Sequence, residues 1–437
     1  MFQENKYLNM LLNLGRKLIP RPVFRFFQPL YHLGLSLAGA IIYRFPASSM
    51  KIIAVTGTKG KSTTVYMISK ILEEQGVPVA AIGSLGFKIK DRQWPNTLKM
   101  TLPGRLKLHK FLYQAKMAGV SHVVLEATSE GIVQNRLAGI KIDCAVFTNL
   151  HREHLESHGS FENYMSAKQK LFLKTKNTHV LNIDDPYFEK FSNFPARQKI
   201  TYGHQWGMIN IANTRSQEPL YLQLVGNFNV SNALAALAVS LVYGLDMTKA
   251  VKTLNAIDVV PGRMEIIESN RGFKVVVDYA HTPDSLELVY KTLRPFAKKL
   301  ICVLGAAGGG RDKWKRPEFG KIASEYCDEI ILTNEDPYDE DPMLILEQIE
   351  KGFGDKIKNW EPLHYRKIID RKEAIDQAIK NAEPGDVVIV TGKGSETSMA
   401  LANGRKIPWS DKEIVLLHLS TGQCVTTSSH AKIKNEV

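Results

Sequence analysis

The segment "KIIAVTGTKGKSTTVYMISKILEE", residues 51–74, constrains the fold more than any other part of the chain. It begins with an apolar run typical of a buried strand, passes through a turn containing Gly57 and Gly60, and continues from Lys61 with helical spacing of apolar residues. A Gly-rich turn between a strand and a helix directs backbone N–H groups and the positive end of the helix dipole toward one point. The segment therefore predicts an α/β fold with a phosphate site.

Short apolar runs alternate with amphipathic stretches along the rest of the chain. The runs "VPVAAIGS", "HVVLEAT", "CAVFTNL" and "THVLNI" are typical of buried strands, and 105–118 and 161–175 are typical of helices between them. A second set of runs follows: "FKVVVDYA", "KLICVLGA", "EIILTNED" and "DVVIVTGKG". We predict a central P-loop domain with a mostly parallel sheet at 51–259 and a C-terminal Rossmann-like α/β domain at 260–437.

Residues 1–50 form a basic and apolar segment of different character. Residues 26–43 contain no Asp, Glu, Lys or Arg, but Gln28 and Pro29 interrupt the apolar run. A membrane-spanning helix needs about 20 mostly apolar residues, so this segment is marginal. We expect a short helical arm packed on the protein. The alternatives are a peripheral membrane contact and a membrane span.

Charge and cysteine content limit the partners and the compartment. The 437 residues carry a formal net charge of +13, which favours acidic partners. The basic residues are dispersed instead of forming a stripe, which argues against nucleic acid. The four cysteines, Cys144, Cys302, Cys327 and Cys424, are scattered without a CxxC pair. This predicts neither a disulfide framework nor a zinc site, and it is typical of a reducing compartment, so we expect a cytoplasmic protein, with membrane association left open.

The turn and the ends of two later strands carry the groups for phosphate chemistry. Lys61 supplies a positive charge, and the hydroxyl of Ser62 or Thr63 can bind Mg²⁺. Glu126 ends the strand "HVVLEAT", and His154 follows "CAVFTNL", where open α/β sheets place their ligands. Either residue alone is more often structural, but both beside a phosphate loop favour a magnesium site.

Eight ordered motifs resemble those of the Mur ligase family. They are "GTKGKSTT", "EATSEGIVQNRL", "AVFTNLHREHLESHGSFENYMSAKQKLF", "GNFNVSNALAALA", "PGRMEII", "DYAHTPDSLE", "GGGRDKWKRPEFG" and "TGKGSE", spread over about residues 50–415. The branch that they resemble most is UDP-N-acetylmuramoyl-tripeptide synthetase, the MurE type. The resemblance implies an ATP-dependent amide-bond ligase that activates a carboxylate as an acyl phosphate and joins it to a free amino acid.

The resemblance also assigns the metal and nucleotide residues. Thr63 and Glu126 would serve a first Mg²⁺, and Glu126 with His154 a second. Lys168 matches the lysine that the family carbamylates, although a solvated helical lysine is the alternative reading of the residue alone. The implied catalytic set is Lys61, Glu126, His154, Lys168 and Arg263. The implied nucleotide contacts are Gly57, Thr58, Lys59, Gly60, Lys61, Ser62, Thr63, Asn229, Asn232, Asp278, His281 and Arg311, and the glycines 308–310 before Arg311 are either a second phosphate turn or a plain turn.

The substrate side matches the family less closely. Residues 1–50 are too few for the family's N-terminal UDP-binding domain, so we expect the UDP anchor to be missing. The motif that reads Asp-Asn-Pro-Arg for meso-diaminopimelate is "EDPY" here, and Tyr338 cannot form the bidentate contact of an arginine with a distal carboxylate. Lys59 and Glu130 replace the usual Asn and His. The implied substrate residues are Thr101, Pro103, Thr128, Ser129, Arg136, Glu335, Asp336, Tyr338, Gly392 and Glu396.

Three other functions compete with a ligase acting on a muramoyl peptide. A ligase for a membrane-presented acceptor, or for a polymer such as poly-γ-glutamate or cyanophycin, would account for the short front and the basic arm. A nucleic-acid-dependent ATPase would account for the net charge, but the chain lacks helicase-like motifs. A non-catalytic scaffold is disfavoured because Lys61, Glu126, His154 and Lys168 are all present. The sequence does not predict the oligomeric state.

Overall fold

The computed structural model describes residues 21–98, 100–153, 155–359 and 364–420. These residues contain two separate sheets, one within 51–202 and one within 265–390. Both sheets are mostly parallel and carry helices, which confirms the predicted α/β class. The boundary at 259/260 remains a prediction.

The first sheet has eight strands in the order β4-β3-β2-β5-β1-β6-β7-β8. All neighbours from β2 to β8 are parallel, and the antiparallel strands β3 and β4 extend one edge. Strand β1 is buried on both faces because its residues are continuously apolar. The strands are β1 Lys51–Thr56, β2 Val79–Gly83, β3 Gly86–Ile89, β4 Arg92–Trp94, β5 His122–Glu126, β6 Cys144–Phe147, β7 Thr178–Asn182 and β8 Gln198–Tyr202.

Two hydrophobic cores cover the two faces of this sheet. Alternate residues of β1 point to opposite sides, so Ile52 and Ala54 join one core and Ile53 and Val55 the other. The helices of this part of the chain are α1 Arg21–Ile42, α2 Lys61–Glu74, α3 Arg105–Met117, α4 Ser129–Val133, α5 Leu155–His158, α6 Phe161–Lys174, α7 Phe188–Ser192, α8 Asn227–Val242 and α9 Met247–Asn255, with a 3-10 turn at Pro46–Ser49.

The second sheet has six strands in the order β13-β12-β11-β14-β10-β9, and only the edge strand β9 is antiparallel. Its strands are β9 Glu265–Glu268, β10 Lys274–Val277, β11 Leu300–Leu304, β12 Glu329–Leu332, β13 Tyr365–Lys367 and β14 Val387–Val390; β15 Ser398–Ala400 and β16 Lys406–Pro408 form a separate ribbon. The helices are α10 Pro283–Leu293, α11 Lys315–Tyr326, α12 Pro342–Glu350, α13 Arg371–Asn381 and α14 Asp411–Ser420, and 3-10 turns lie at Arg294–Phe296, Lys351–Asn359 and Ala402–Gly404.

The described part of the N-terminal arm is helix α1, which packs on α3. Its Ser36 hydroxyl donates to the carbonyl oxygens of Arg136 at 3.3 Å and Ala138 at 3.0 Å. The expected helix packed on the protein is therefore present, and residues 1–20 of the predicted arm lie outside the described residues. Within the described ranges, no helix is both long and apolar enough to cross a membrane.

One cysteine pair departs from the expectation of free thiols. Cys302 in β11 and Cys327, directly after α11, form a disulfide across a sequence separation of 25 residues. The crossover helix brings the chain back beside β11, so the pairing depends on tertiary structure and leaves no local sequence signal. Cys144 is buried and free, and Cys424 lies outside the described residues.

Candidate active site

A cleft of about 960 Å³ lies between the two α/β units. The carboxyl ends of strands from both sheets face it, as expected for ligand sites in open α/β folds. The predicted residues that line it are Thr58, Lys59, Gly60, Lys61, Ser62, Thr63, Thr101, Glu126, Thr128, Ser129, Arg136, Asn232, Arg263, Asp278, His281, Arg311, Asp336 and Glu396. Seven other predicted residues that the structure describes, Gly57, Pro103, Lys168, Asn229, Glu335, Tyr338 and Gly392, are not part of this lining.

The phosphate loop connects β1 to α2 and has little room for side chains. A Cβ atom on Gly57 would collide with the Thr148 hydroxyl, and Gly60 adopts a positive φ of 78° at the start of α2. Lys61 Nζ donates to the carbonyl oxygens of Gly57 at 2.9 Å and Thr58 at 2.7 Å. Burial lowers the pKa of Lys61, while the nearby Glu126 carboxylate acts in the opposite direction. The loop thus places a buried cation and the first N–H groups of α2 at one point.

Glu126 is held rigidly at the end of β5. Its Oε1 atom accepts a 2.7 Å hydrogen bond from the backbone N–H of Ser84, and its side chain packs so closely against Gly83 that a Cβ atom there would collide with the carboxylate. Only 1% of Glu126 is exposed, yet it contributes to the cleft wall. The other predicted metal residue of a strand end, His154, lies outside the described residues.

The oxygen donors around the phosphate loop fit a magnesium ion in their chemistry. Thr63 supplies a hydroxyl, and Glu126 and Glu153 supply carboxylates to the same cleft. The described part of the chain contains no cluster of three or more His, Cys, Asp or Glu side chains able to hold a metal. A magnesium site here therefore needs donors beyond these carboxylates, such as hydroxyl and phosphate oxygens or His154.

Lys168 of α6 is buried against the phosphate loop. Its Nζ atom donates to the Gly57 carbonyl oxygen at 2.7 Å and lies 4.5 Å from the centre of the Tyr164 ring. Burial lowers the pKa of Lys168 well below its usual value, and repulsion from Lys61 lowers it further. The alternative of a solvated helical lysine does not describe this position, since the residue is only 1% exposed.

Side chains of the phosphate loop contact the second α/β unit across the cleft. Arg263 Nη2 donates to the Ser62 hydroxyl at 3.1 Å, and its guanidinium stacks 4.3 Å from the centre of the Tyr279 ring. Lys59 Nζ lies 3.6 Å from a carboxylate oxygen of Asp284. These contacts join the phosphate loop directly to the second unit. Their distances would therefore change if the two units moved apart.

Asp278 and His281 shape the loop after β10. Asp278 accepts hydrogen bonds from the backbone N–H groups of Met264 and Ala280, both at 2.7 Å. His281 Nδ1 contacts the Tyr279 carbonyl oxygen at 2.7 Å, which directs Nε2 to Glu153 at 3.5 Å. Asp278 thus fixes the backbone of the loop, and His281 presents a ring nitrogen to the cleft.

The two predicted adenine residues of α8 occupy different positions. Asn232 lines the cleft and its Oδ1 accepts from the Thr64 hydroxyl at 3.3 Å. Asn229 donates to the Val225 carbonyl oxygen at 2.8 Å and bonds Asn232, so it orients its neighbour. A Cβ atom on Gly60 would collide with Asn232, which explains the close approach of α8 to the phosphate loop.

The residues predicted to bind the amino acid include an acidic cluster that surrounds a lysine. Lys393 Nζ lies 2.9 Å from Asp336 and 2.6 Å from Glu396, and it is fully buried. Glu335 lies behind Gly392, where a Cβ atom would come within 2.6 Å of its Oε2. Glu335 and Asp336 are therefore buried, whereas Glu396, whose side chain is 25% exposed, faces the cleft.

Arg311 and Tyr338 meet at this side of the cleft, where Tyr338 hydrogen-bonds the Arg311 side chain. The chain at Tyr338 has a positive φ of 52° and packs directly on Gly309. Gly308 and Gly309 allow this close packing, whereas nothing lies within 4 Å of a Cβ atom on Gly310, and Gly309 and Gly310 also line the cleft. The turn thus serves packing, as in the plain-turn alternative, and also exposes its backbone to the cleft.

The predicted acceptor residues Thr101, Thr128, Ser129 and Arg136 line the same cleft. Thr101 shares a 3.1 Å hydrogen bond with Ser84, and the Arg136 guanidinium donates to the Leu102 carbonyl oxygen. Thr128 caps α4, and Ser129 lies 3.1 Å from His158 Nε2. Pro103 is buried beneath them.

Two charged residues of the cleft were missed by sequence reasoning. Glu153, which is 7% exposed, attracts Lys59, Lys61 and Lys168. Lys315 donates to the His281 carbonyl oxygen at 3.1 Å, and burial lowers its pKa. Glu153 directly precedes His154 in a loop of mixed charge, so only its position after a buried strand could have indicated it.

The fold and the cleft define the class of protein: an α/β protein of two units with a phosphate loop facing the cleft between them. Two family models match the chain, the Mur ligase middle domain at residues 55–240 and the Mur ligase, glutamate ligase domain at residues 262–394. The chain belongs to the Mur ligase family of ATP-dependent peptide ligases.

Individual relatives agree with this family. The chain is 36% identical over 400 residues to UDP-N-acetylmuramoyl-L-alanyl-D-glutamate--2,6-diaminopimelate ligase of Syntrophomonas wolfei, covering 87% of this chain and 80% of that one. It is 35% identical over 428 residues to UDP-N-acetylmuramyl-tripeptide synthetase of Roseiflexus sp., covering 90% and 82%. A solved structure of a 2,6-diaminopimelate ligase of the same name as the first relative matches with a TM-score of 0.57 at 32% identity, covering 87% of this chain and 80% of that one.

Proposed function

We propose that this protein joins an amino acid to the carboxylate of a peptidoglycan-precursor peptide, at the expense of ATP. The acceptor carboxylate would attack the γ-phosphorus of ATP, releasing ADP and forming an acyl phosphate. The amine of the amino acid would then attack the acyl carbon, and phosphate would leave as the amide forms. The observation that carries this proposal is the single cleft in which Lys61 and Glu126 of one unit face Arg263 and Arg311 of the other.

Charge neutralisation is the physical requirement of the first step, because two anions must meet. Lys61 in the phosphate loop and Arg263 from the second unit supply cations to the transferring phosphoryl group. Thr63, Glu126 and His154 would hold Mg²⁺, which supplies Lewis-acid stabilisation of phosphate charge when bound. Closure of the two units through Arg263 and Ser62 excludes water, which would otherwise hydrolyse an acyl phosphate.

We include carbamylation of Lys168 in the proposal. A lysine must be neutral to attack CO₂, and the lowered pKa of buried Lys168 favours the neutral amine. Loss of one proton from the ammonium group gives the neutral amine; its attack on CO₂ forms an N–C bond, opens one C=O π bond and releases a second proton, so that overall a cation becomes an anion beside the phosphate loop. The carbamate nitrogen keeps one hydrogen, so the bond to the Gly57 carbonyl oxygen is compatible with the modification.

The substrates are proposed from the two ends of the cleft. Thr101, Thr128, Ser129 and Arg136 form a polar end suited to a peptide carboxylate acceptor such as a muramoyl peptide. At the other end, Gly392 and Glu396 would receive the amino acid ammonium group. Relatives that carry the name of 2,6-diaminopimelate ligases are similar in sequence, but Tyr338 here offers no second guanidinium for a distal carboxylate. We therefore propose an amino acid other than diaminopimelate.

The deciding experiment crosses a panel of acceptors with a panel of amino acids and measures ADP release together with the mass of the product. The acceptors are UDP-muramoyl-dipeptide, the same sugar peptide without UDP, and a short poly-γ-glutamate. ADP release that requires both an acceptor and an amino acid supports the proposal. ATP hydrolysis without amide formation in every combination would contradict the proposal. Turnover of poly-γ-glutamate alone would mean that the acceptor is this polymer and not a muramoyl peptide. We place this reaction in the cytoplasm, where ATP is available.

A further inference from the structure

The outward face of helix α1 is apolar. Leu30, Leu37 and Ile41 recur at helical spacing on this side, and 63%, 39% and 65% of their respective areas are exposed. Ser36 and Ala40, on the opposite side of the helix, are fully buried against the protein. The helix is thus attached to the protein by one side and presents an apolar stripe on the other. Such contiguous exposed apolar surface marks an interaction site.

Helix α3 extends the stripe into a broader face. Leu106, Tyr113 and Met117 are exposed at helical spacing on α3, and the Tyr113 ring lies 5.7 Å from the Tyr43 ring at the end of α1. A Cβ atom on Gly39, on the buried side of α1, would lie 3.4 Å from Leu106, so α1 packs on α3 next to this row of side chains. We call the combined surface the α1–α3 face; it consists of Leu30, Leu37, Ile41, Leu106, Tyr113 and Met117.

The charge around the α1–α3 face has one sign. Neither α1 nor α3 contains an aspartate or a glutamate. Arg44, directly after α1, and Lys110 and Lys116 on α3 are exposed. A second copy of the chain docked on this face would bring like charges together. An apolar surface on two helices whose only ionised side chains are cations instead matches the acyl boundary and anionic headgroups of a lipid bilayer.

We propose that the α1–α3 face docks peripherally on a membrane surface that contains anionic lipids. The apolar side chains enter the headgroup region, and Arg44, Lys110 and Lys116 contact lipid phosphates. Because Ser36 of α1 bonds the backbone at Arg136, and the Arg136 side chain lines the cleft, docking brings this end of the cleft near the bilayer. The contact is independent of the ligase reaction, so it can be tested without turnover.

The test is co-sedimentation of the full chain with vesicles. Vesicles of phosphatidylcholine mixed with phosphatidylglycerol should pellet the protein, vesicles of phosphatidylcholine alone should not, and added salt should weaken the binding. The variant Leu37→Gln/Ile41→Gln removes the apolar anchor, and Lys110→Glu/Lys116→Glu reverses the flanking charge. Each should weaken binding by about tenfold or more. An unchanged affinity in both variants would overturn the proposal.

Matched variants on the second unit separate this face from a general effect. Leu344→Gln/Ile369→Gln changes two side chains that are 54% and 42% exposed, and Lys298→Glu/Lys380→Glu changes two exposed lysines. Both should bind vesicles like the unmodified chain, and a loss equal to that of the face variants would contradict the proposal. Failure of the unmodified chain to pellet with anionic vesicles would also overturn the proposal. If, in addition, Leu37→Gln/Ile41→Gln converted a dimer into a monomer in solution, the α1–α3 face would be a contact between two copies of the chain instead.

A fluorescence measurement keeps the proposal testable if the polar variants do not fold. Ile41→Cys in a Cys424→Ser background accepts an environment-sensitive label, because Cys144 is buried and Cys302 is bonded to Cys327. A blue shift of the label on adding anionic vesicles is expected. A label at Leu344→Cys should not shift, and the absence of a shift at position 41 would contradict the proposal.

Discussion

The Lys168 Nζ atom lies 2.7 Å from the carbonyl oxygen of Gly57, the first glycine of the phosphate loop. A buried lysine is seldom placed beside another cation, yet Lys61 donates to the same carbonyl oxygen at 2.9 Å. Burial and mutual repulsion lower the pKa of Lys168. The pair is therefore unfavourable as two cations and becomes favourable if Lys168 carries a carbamate.

We expect Lys168→Ala to abolish amide formation, with a loss of at least about a hundredfold, comparable to removal of one electrostatic catalyst. Short-chain carboxylic acids should restore part of the activity by replacing the carbamate. The control is Lys170→Ala, an exposed lysine on the same helix. A ¹³C NMR carbamate signal from labelled bicarbonate should appear in the unmodified chain and in Lys170→Ala and disappear in Lys168→Ala. Full activity of Lys168→Ala would refute the carbamate.

Gly83→Ala should displace Glu126 without changing its charge, because the new Cβ would collide with the carboxylate. If Glu126 binds Mg²⁺, the concentration of Mg²⁺ needed for half-maximal activity should rise by about tenfold, as expected for loss of well-oriented metal ligation. Gly34→Ala, where nothing lies within 4 Å, is the matched control. An unchanged Mg²⁺ requirement in Gly83→Ala would argue against Glu126 as a ligand.

The central strands of both sheets were predictable, whereas the edges were not. β1, β5, β6 and β14 are buried on both faces, so their central residues form continuous apolar runs, although β1 also contains Lys51 and Thr56 and β5 also contains His122 and Glu126. The short strands β3, β4 and β13 are stabilised by pairing at a sheet edge, so their own sequences carry little signal. The helices 105–118 and 161–175 were predicted to within one residue of their observed ends.

The candidate active site was likewise predictable only in part. Lys61 and Glu126 could be predicted to meet because one follows and the other ends a strand of the predicted parallel sheet, whereas Arg263 was assigned to the cleft only by the resemblance of "PGRMEII" to a family motif. The contacts of Lys393 with Asp336 and Glu396, and the bond between Cys302 and Cys327, depend on chain segments that tertiary structure brings together. Periodicity and spacing do not report such contacts.

Glu335→Gln should stabilise the protein at neutral and alkaline pH. Burial and the neighbouring Asp336 carboxylate raise the pKa of Glu335, whose Oε2 atom has no hydrogen-bond partner among the described residues. The folded chain therefore keeps a proton that the unfolded chain releases, and the free energy of unfolding falls as pH rises from the unfolded to the folded pKa. At about pH 8 we expect a gain of about 2–4 °C in Tm.

The gain from Glu335→Gln should vanish below about pH 4, where the carboxyl group is neutral in both states. The exposed Glu74 provides the control, and Glu74→Gln should leave Tm unchanged at either pH. Thermal unfolding followed by circular dichroism measures both variants. A destabilised Glu335→Gln at high pH would mean that the ionised carboxylate is stabilised in the fold.

Arg263→Ala should weaken closure of the two units. The variant removes the hydrogen bond to Ser62 and the stacking on Tyr279. Loss of a charged hydrogen bond corresponds to about 1.5–3 kcal/mol, so kcat/KM for ATP should fall by roughly ten- to a hundredfold. Small-angle scattering should show a larger radius of gyration. Arg294→Ala, which breaks an ion pair with Asp328 on the surface, is the control and should change neither quantity.

Tyr338→Arg should shift the amino acid preference toward diaminopimelate. Tyr338 contacts Arg311 at the cleft, so an arginine at this position would place a second guanidinium beside the first and could bind a distal carboxylate bidentately. We expect kcat/KM for meso-diaminopimelate to rise by about tenfold or more, since hydrogen bonds to charged groups contribute about 1.5–3 kcal/mol. Tyr338→Phe, which removes the hydroxyl without adding charge, should give no such gain. Efficient use of diaminopimelate by the unmodified chain would show that Arg311 alone suffices, and the proposed exclusion of this amino acid would then be wrong.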